Sequence, residues 1–338
     1  MKILPTSSIP EYPRRRIAML CLLALIAALM SLCFGAVSVA PGEIWKILTG
    51  ELQGTPEARI ILYSRLPRTL GCLLAGAALA VSGAVIQGVL HNPLAAPNVI
   101  GVNSGAGLMV ALCCAVNPTA VKVIPFAAFL GALVAALLIF SIAERTGASR
   151  MTLVLAGIAI SGMFGAGIDA VVTVFPDALN GYSDFRIGGF NNLAMSRIIP
   201  ASWVILAALL GTFLLSGGLD LLALGEETAH ALGLPVRRVR FLLLACAAAL
   251  AGAAVSFAGL LGFVGLIVPH MMRRLVGEES LSLLFASAFG GASLVTFCDL
   301  AARTLFAPYV LPVGIVLSLL GGGFFIWLLT RRRGGTHG

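Results

Sequence analysis

The chain has 338 residues, 59% of them hydrophobic and 11% charged, against roughly 45–50% apolar and 25% charged in an ordinary soluble domain. That balance excludes a water-soluble globular fold of this length. The net charge of +8 is not a sign of nucleic acid, because the basic residues stand in short clusters between apolar segments, where they report membrane orientation.

A helix needs about 20 apolar residues to cross the hydrocarbon core, and uncharged segments of that kind recur along the chain. The first, 17–40, follows Arg14, Arg15 and Arg16. It exceeds the roughly 7–15-residue core of a signal peptide, so it reads as a first span. Further spans are expected at 69–90, 99–116, 123–143, 151–174, 198–218, 281–298 and 313–330. Between Arg240 and Arg273 runs one more uncharged stretch, too long for one ordinary crossing and broken by Gly259, Gly262 and Gly265. If it turns back near those glycines, the total is ten spans with both termini on one side. That side then carries 14 of the 22 Lys and Arg residues, including Arg237, Arg238, Arg240, Arg273 and Arg274, which makes it the cytoplasm.

Small residues recur at four-residue spacing inside the spans: Gly76, Ala80, Ala84 and Gly88; Gly157, Ser161 and Gly165; Gly314, Ser318 and Gly322. Such stripes let helices approach closely. The stretches Arg65 to Leu94 and Arg237 to Met271 share an order of basic cluster, Ala/Gly-rich helix and Pro-containing bend. Two five-span halves of inverted orientation would account for that. The seven cysteines form no CxxC spacing and lie in or beside apolar segments, so they read as small buried hydrophobes.

No phosphate-binding loop is present, because Lys2, Lys46 and Lys122 are the only lysines and none follows the required glycine spacing. Neither HExxH, a nucleophile elbow nor a zinc-type Cys/His cluster occurs. The expectation is therefore no enzyme, no catalytic residue, no metal site and no cofactor bound directly. Ionisable groups inside spans, which ion-coupled transport uses, are sparse: Asp169 lies within one and Asp299 at the end of another. Ion-coupled secondary transport is the rival of a different class, with Asp169 as its candidate residue. The longest polar connection on the cytoplasmic side, Asp220 to Val239, reads as a short helix preceded by Gly225 and stopped by Gly233 and Pro235. Its composition alone suits either a solvated helix or a handle for a soluble motor domain. The whole chain, 1–338, is one transmembrane domain, with the loop 219–239 inside it.

Five ordered stretches carry a resemblance. They are Arg65-Leu-Pro-Arg68; Gly83-Ala-Val-Ile-Gln-Gly88 with Asn92-Pro-Leu-Ala95 and Gly101 to Gly105; Leu224-Gly-Glu-Glu-Thr-Ala-His-Ala-Leu-Gly233; Gly262-Phe-Val-Gly-Leu-Ile-Val-Pro-His270; and Leu311-Pro-Val-Gly-Ile315 leading to Phe324-Phe-Ile-Trp-Leu328. Through them the chain resembles the FecCD-type permease subunits of ATP-binding-cassette importers for iron-siderophores, haem and cobalamin. The resemblance implies an all-α integral membrane protein of ten transmembrane helices with type II importer architecture, in the bacterial inner membrane with both termini cytoplasmic. It implies a second permease copy, a cytoplasmic ATPase dimer that holds the ATP, and a periplasmic or lipid-anchored binding protein. Ferric-siderophore is the expected cargo, with haem or cobalamin as alternatives.

Site residues carry over in three groups. Arg65, Arg68 and Arg303 would dock the binding protein from outside. Gly225, Glu226, Glu227, His230, Leu232 and Gly233 would form the helix that seats in the ATPase. Gly83, Gln87, Asn92, Pro93, Gly262 and Pro269 would serve helix packing or the pathway. Two departures stand out: Gly321-Gly-Gly323 replaces a common Gly-Ala-Pro, and Tyr182 to Phe190 lacks the Trp and Gly-Ser usual in the outer region.

Overall fold

A computed structural model describes residues 11–35, 37–52, 54–117, 122–145, 150–191, 193–305 and 309–332. Among these residues every regular element is helical. Helix α1 (Glu11–Cys33) leads to a small cap made of α2 (Pro41–Leu48) and α3 (Pro56–Ile60), each with proline in its first turn. Proline suits that position because its missing N–H would have no intrahelical partner there. The Thr55 hydroxyl accepts a 3.1 Å bond from Ala58 N–H to cap α3. Ile44, Ile47, Ala58 and Ile61 seal this cap against Leu32 and Val39.

Helix α3 runs through a π-helical turn, Ile61–Arg65, into α4 (Leu66–Leu90). Leu66 N–H reaches back five residues to Ile61 O, and Pro67 follows immediately. The wider turn absorbs a residue that cannot donate to the ladder. The continuous helix therefore starts at Pro56, well before the span expected at 69–90. Arg65 and Arg68 suggested a boundary in the sequence, yet both lie inside this helix with their charges satisfied internally.

After a 3-10 turn, Pro97–Ile100, come α5 (Val102–Val116), α6 (Ile124–Arg145) and α7 (Arg150–Val174). The short α8 (Ala178–Ile187) precedes α9 (Met195–Leu214), followed by α10 (Ser216–Ala223) and α11 (Glu226–Ala231). The chain closes with α12 (Val236–Ala258), α13 (Val264–Val276), α14 (Ser280–Thr304) and α15 (Val313–Arg332). The run from 240 to 273 is thus divided at 259–263, as the glycines there led one to expect. Among the described residues seven helices are long and apolar enough to cross a membrane; Val102–Val116 and Val313–Trp327 are shorter apolar helices.

Helix α4 is the hub, packed against α14, α12, α13 and α9. Its surface is almost bare of side chains where neighbours cross. A Cβ on Gly76 would sit 2.3 Å from Gly291 O of α14, and one on Gly83 would sit 1.8 Å from Gly265 O of α13. Gly105 of α5 and Gly131 of α6 face each other in the same way, at 2.3 Å in both directions. These are backbone-to-backbone contacts, the closest that helices can make. The other stripes divide. Ser161 accepts a 3.2 Å bond from Ser104, and Gly314 lies against Ile187 O, whereas Gly165 and Gly322 face open space.

This contrast sets a test. Gly83→Ala should destabilise the protein by about 1–3 kcal/mol or more, since the clash is with backbone that cannot rotate away. Gly322→Ala should be neutral within about 0.5 kcal/mol. Thermal unfolding in detergent checks both, and equal melting temperatures for the two variants would contradict the packing described.

Candidate functional site

At the end of the bundle where α4 begins, Asp299, Arg65 and Arg303 are buried, with Arg68 half-buried beside them. Asp299 of α14 is fully buried and accepts two 2.8 Å bonds from Arg68, one each from Nε and Nη2. This fork matches a carboxylate and fixes orientation as well as charge. Arg303, one turn further along α14, has its Nε 3.8 Å from Asp299 Oδ2 and donates from Nη2 to Ser31 O and Oγ of α1. Ser31 Oγ also shares a 2.7 Å bond with Thr69 of α4. Arg65 donates to three carbonyls of α1 and the turn after it: Leu32 at 2.6 Å, Cys33 at 2.9 Å, and Val37. Together these bonds staple α1, α4 and α14.

Arg65 and Arg303, expected as docking residues, make these bonds within the bundle. They are 4% and 9% exposed; the donors of Arg65 end on carbonyls of its own chain, and Arg303 Nη2 ends on Ser31 while its Nε, 3.8 Å from Asp299, makes no hydrogen bond. Burial without such partners would be prohibitive for a guanidinium, so the geometry is what allows them to be there. Arg68 differs in lining an outer pocket of about 360 Å³ with Tyr63, Ser64, Phe190, Asn191 and Val310.

The segment from Tyr182 to Phe190 forms a strap beside this pocket. Leu260 N–H donates to Phe185 O, Gly189 N–H to Ala258 O and Gly314 N–H to Gly188 O, so the strap ties the turn after α12 to the start of α15. These backbone polar groups are thereby satisfied within the protein. Burial raises the Tyr182 phenol pKa, an effect that Arg186 opposes and Asp169 adds to, and the ring stays neutral.

At the opposite end, α11 stands between Gly225 (φ +103°) and Gly233 (φ +85°). Gly233 N–H bonds His230 O and Leu234 N–H bonds Ala229 O, the paired closure that favours glycine in the left-handed position. Ala229 is buried beneath the helix, while Glu226, Glu227, His230 and Leu232 are exposed. Glu226 pairs with Arg240 at 2.9 Å. A groove of about 690 Å³ runs past Glu226, Glu227, His230, Pro235 and Arg238.

The residues assigned to packing or pathway fall on the α4–α13 side. Gly83 meets Gly265, and Gln87 donates 3.2 Å to Gly265 O while accepting from Arg273. Pro269 is buried within α13. Asn92 Oδ1 accepts from Leu94 N–H in the turn that contains Pro93. Gly262 lies in the connection between α12 and α13, facing Ser318. Asp169 is exposed on α7. Cys72, Cys114 and Cys298 are buried, the other four cysteines half-buried, and all seven are free. No group of His, Cys, Asp or Glu suited to a metal ion occurs among the described residues.

Sequence reasoning passed over three polar residues that the structure makes central. Asp299 was noted only as a span-end charge; its i,i+4 spacing from Arg303 was the available signal. Asp220 and His91 bond across to other helices and have no local signature. Replacing Asp299 by Asn leaves Arg68 and Arg303 without their carboxylate and should cost roughly 3–5 kcal/mol. The measurement is urea or thermal unfolding in detergent; an unchanged midpoint would show that the cluster does not hold the three helices.

The FecCD transport family model matches residues 22–331. The hemin transport system permease protein of Yersinia pestis is 38% identical over 335 residues, covering 95% of this chain and 97% of its own. The Fe(3+)-citrate import system permease protein of Bacillus subtilis is 35% identical, covering 94% and 95%. A solved metal-chelate-type ABC transporter in an inward-facing conformation matches with a TM-score of 0.84 and 29% identity, covering 94% of this chain and 99% of that one. With the family model spanning nearly its full length, the chain belongs to the FecCD transport family.

Proposed function

We propose that this protein is the membrane permease of an ATP-driven importer for a metal chelate, working with a separate ATPase dimer and an external binding protein. The observation that carries this reading is α11. It is a short, exposed helix set between two positive-φ glycines at one end of an apolar bundle, in a chain of this family that has no phosphate-binding loop of its own. Its acidic first turn and exposed Leu232 suit a groove on a soluble partner. Energy from the ATPase then reaches the bundle through this loop, and alternating access follows from packed units moving relative to one another. No covalent step falls to the permease.

Ten spans fit this reading: α1, α4, α5, α6, α7, α9, α12, α13, α14 and α15. Two inverted halves find support in a shared backbone detail. The long buried helices α4 and α12 are each followed by a shorter one, and α5 and α13 both begin after a left-handed residue, Gly101 (φ +68°) and Phe263 (φ +66°). The charge asymmetry puts the α11 end and both termini in the cytoplasm. Arg68 and its pocket then face outward, and carboxylates of the binding protein would meet that pocket. Arg65 and Arg303 contribute by holding it in shape.

A second copy of the chain has a natural seat on α7 and α15. Leu155, Ile158, Met163 and Leu319 are exposed there, and Gly162, Gly165, Gly322 and Gly323 have nothing within reach of a Cβ. Small residues on an open apolar face favour a packed helix over lipid chains. Ferric-siderophore is the first cargo to test; haem is the second, favoured by the hemin permease among the relatives. Asp169, which an ion-coupled mechanism would need inside the bundle, is exposed on α7.

Proteoliposomes containing permease, ATPase and binding protein should take up one of ferric-siderophore, haem or cobalamin only when ATP and all three components are present. Uptake by the permease alone under an ion gradient would overturn the proposal. Glu226→Arg with Glu227→Arg should abolish co-purification of the ATPase and leave the permease folded, because the exposed Glu226–Arg240 pair contributes at most about 1 kcal/mol. Retained co-purification would remove α11 as the contact.

A further inference from the structure

The base of the α11 loop is bonded to the bundle at two points. Asp220 of α10 accepts at Oδ1 a 2.9 Å bond from the N–H of Ser280, the first residue of α14. That amide has no partner inside its helix, and the carboxylate also meets the positive end of the α14 dipole. The second bond, 2.8 Å, joins His91 Nε2 to Leu222 O of α10. A carbonyl can only accept, so Nε2 carries the proton and donates.

His91 sits just past the end of α4 with φ +47°. Asn92 N–H bonds Gln87 O and His91 N–H bonds Gly88 O, the same closure that ends α11. There the left-handed position is Gly233, the residue type this motif favours. A histidine in its place is strained, and the strained backbone is what aims the imidazole at α10. Between the two bonds, Leu219 and Leu222 are 3% and 2% exposed, with Leu219 lying against Gly88. Helix α10 is thus fixed to the end of α4 and to the start of α14, whereas α11 is held by an exposed ion pair and flanked by two glycines.

We infer that Asp220 and His91 are positioning residues that make α10 a rigid lever, carrying displacement of α11 to the start of α14 and the end of α4. The bonds cross between elements far apart in sequence, so displacement that reaches α10 through Gly225 is passed on to α4 and α14. This inference rests on the reading of α11 as the ATPase contact. The lever goes beyond that reading by naming which helices receive the motion and through which atoms.

The test is amide hydrogen exchange on the permease–ATPase complex in nanodiscs, with and without ADP and vanadate. In the unaltered complex, nucleotide trapping should change exchange in α11, in the first turn of α14 and in the last turn of α4. In His91→Gly and in Asp220→Ala the α11 response should remain, while the α4 and α14 responses fall about fivefold, the loss expected for one hydrogen bond. His91→Gly relieves the left-handed strain, so its fold is safe even if Asp220→Ala proves unstable. Asp220→Asn keeps the accepting oxygen and should restore the α14 response. Undiminished responses in both deletion variants would overturn the lever while leaving the ATPase contact intact. Absence of any α11 response in the unaltered complex would instead overturn the contact, and the lever with it.

Discussion

Everything in this bundle depends on the bareness of α4. Several helices can pack against one only if its surface offers little bulk, and here the closest crossings are made by backbone on backbone, at Gly76 with Gly291 and at Gly83 with Gly265. In a bilayer there is little gain from burying one apolar side chain against another, since lipid tails are equally apolar. Close packing and interhelical hydrogen bonds must supply the stability. The glycines and alanines of α4 permit the first, and the polar residues at its two ends provide the second.

Those polar ends do different work. At one end Arg65, Arg68, Arg303 and Asp299 form a buried cluster with more positive than negative charge, balanced by the carbonyls of α1 and by Ser31. At the other end Gln87 and Arg273 join α4 to α13, and His91 and Asp220 join α10 to α4 and α14. The first arrangement locks helices to one another. The second connects the bundle to the loop that carries α11.

The sequence made the helices legible because apolar runs between charges are a strong signal, and eight of the spans read from it coincide with helices. The division of the long run before Arg273 was also readable, because Gly259 and Gly262 flank the break. The expected span began only after Arg65 and Arg68: in sequence an arginine bonded inside a bundle looks the same as an interfacial one, and only the positions of the α1 carbonyls for Arg65 and of Asp299 for Arg68 distinguish them. The α11 helix was visible through Gly225, Gly233 and Pro235, residues with specific backbone consequences. His91 and Asp220 were not, because their partners lie 131 and 60 residues away. A hydrogen bond between distant segments leaves no periodic trace.

The glycines of this chain are not equivalent, and that has a bearing on how such a protein can diversify. Gly76, Gly83, Gly105, Gly131 and Gly291 are walled in by backbone and leave no room for another residue, whereas Gly162, Gly165, Gly322 and Gly323 border open space. The fold of the single chain thereby rests on one set of glycines, while those on the open faces of α7 and α15 take no part in its internal packing. Substitutions on those two outward faces can therefore change what the helices meet outside the bundle while the packing around α4 stays as it is.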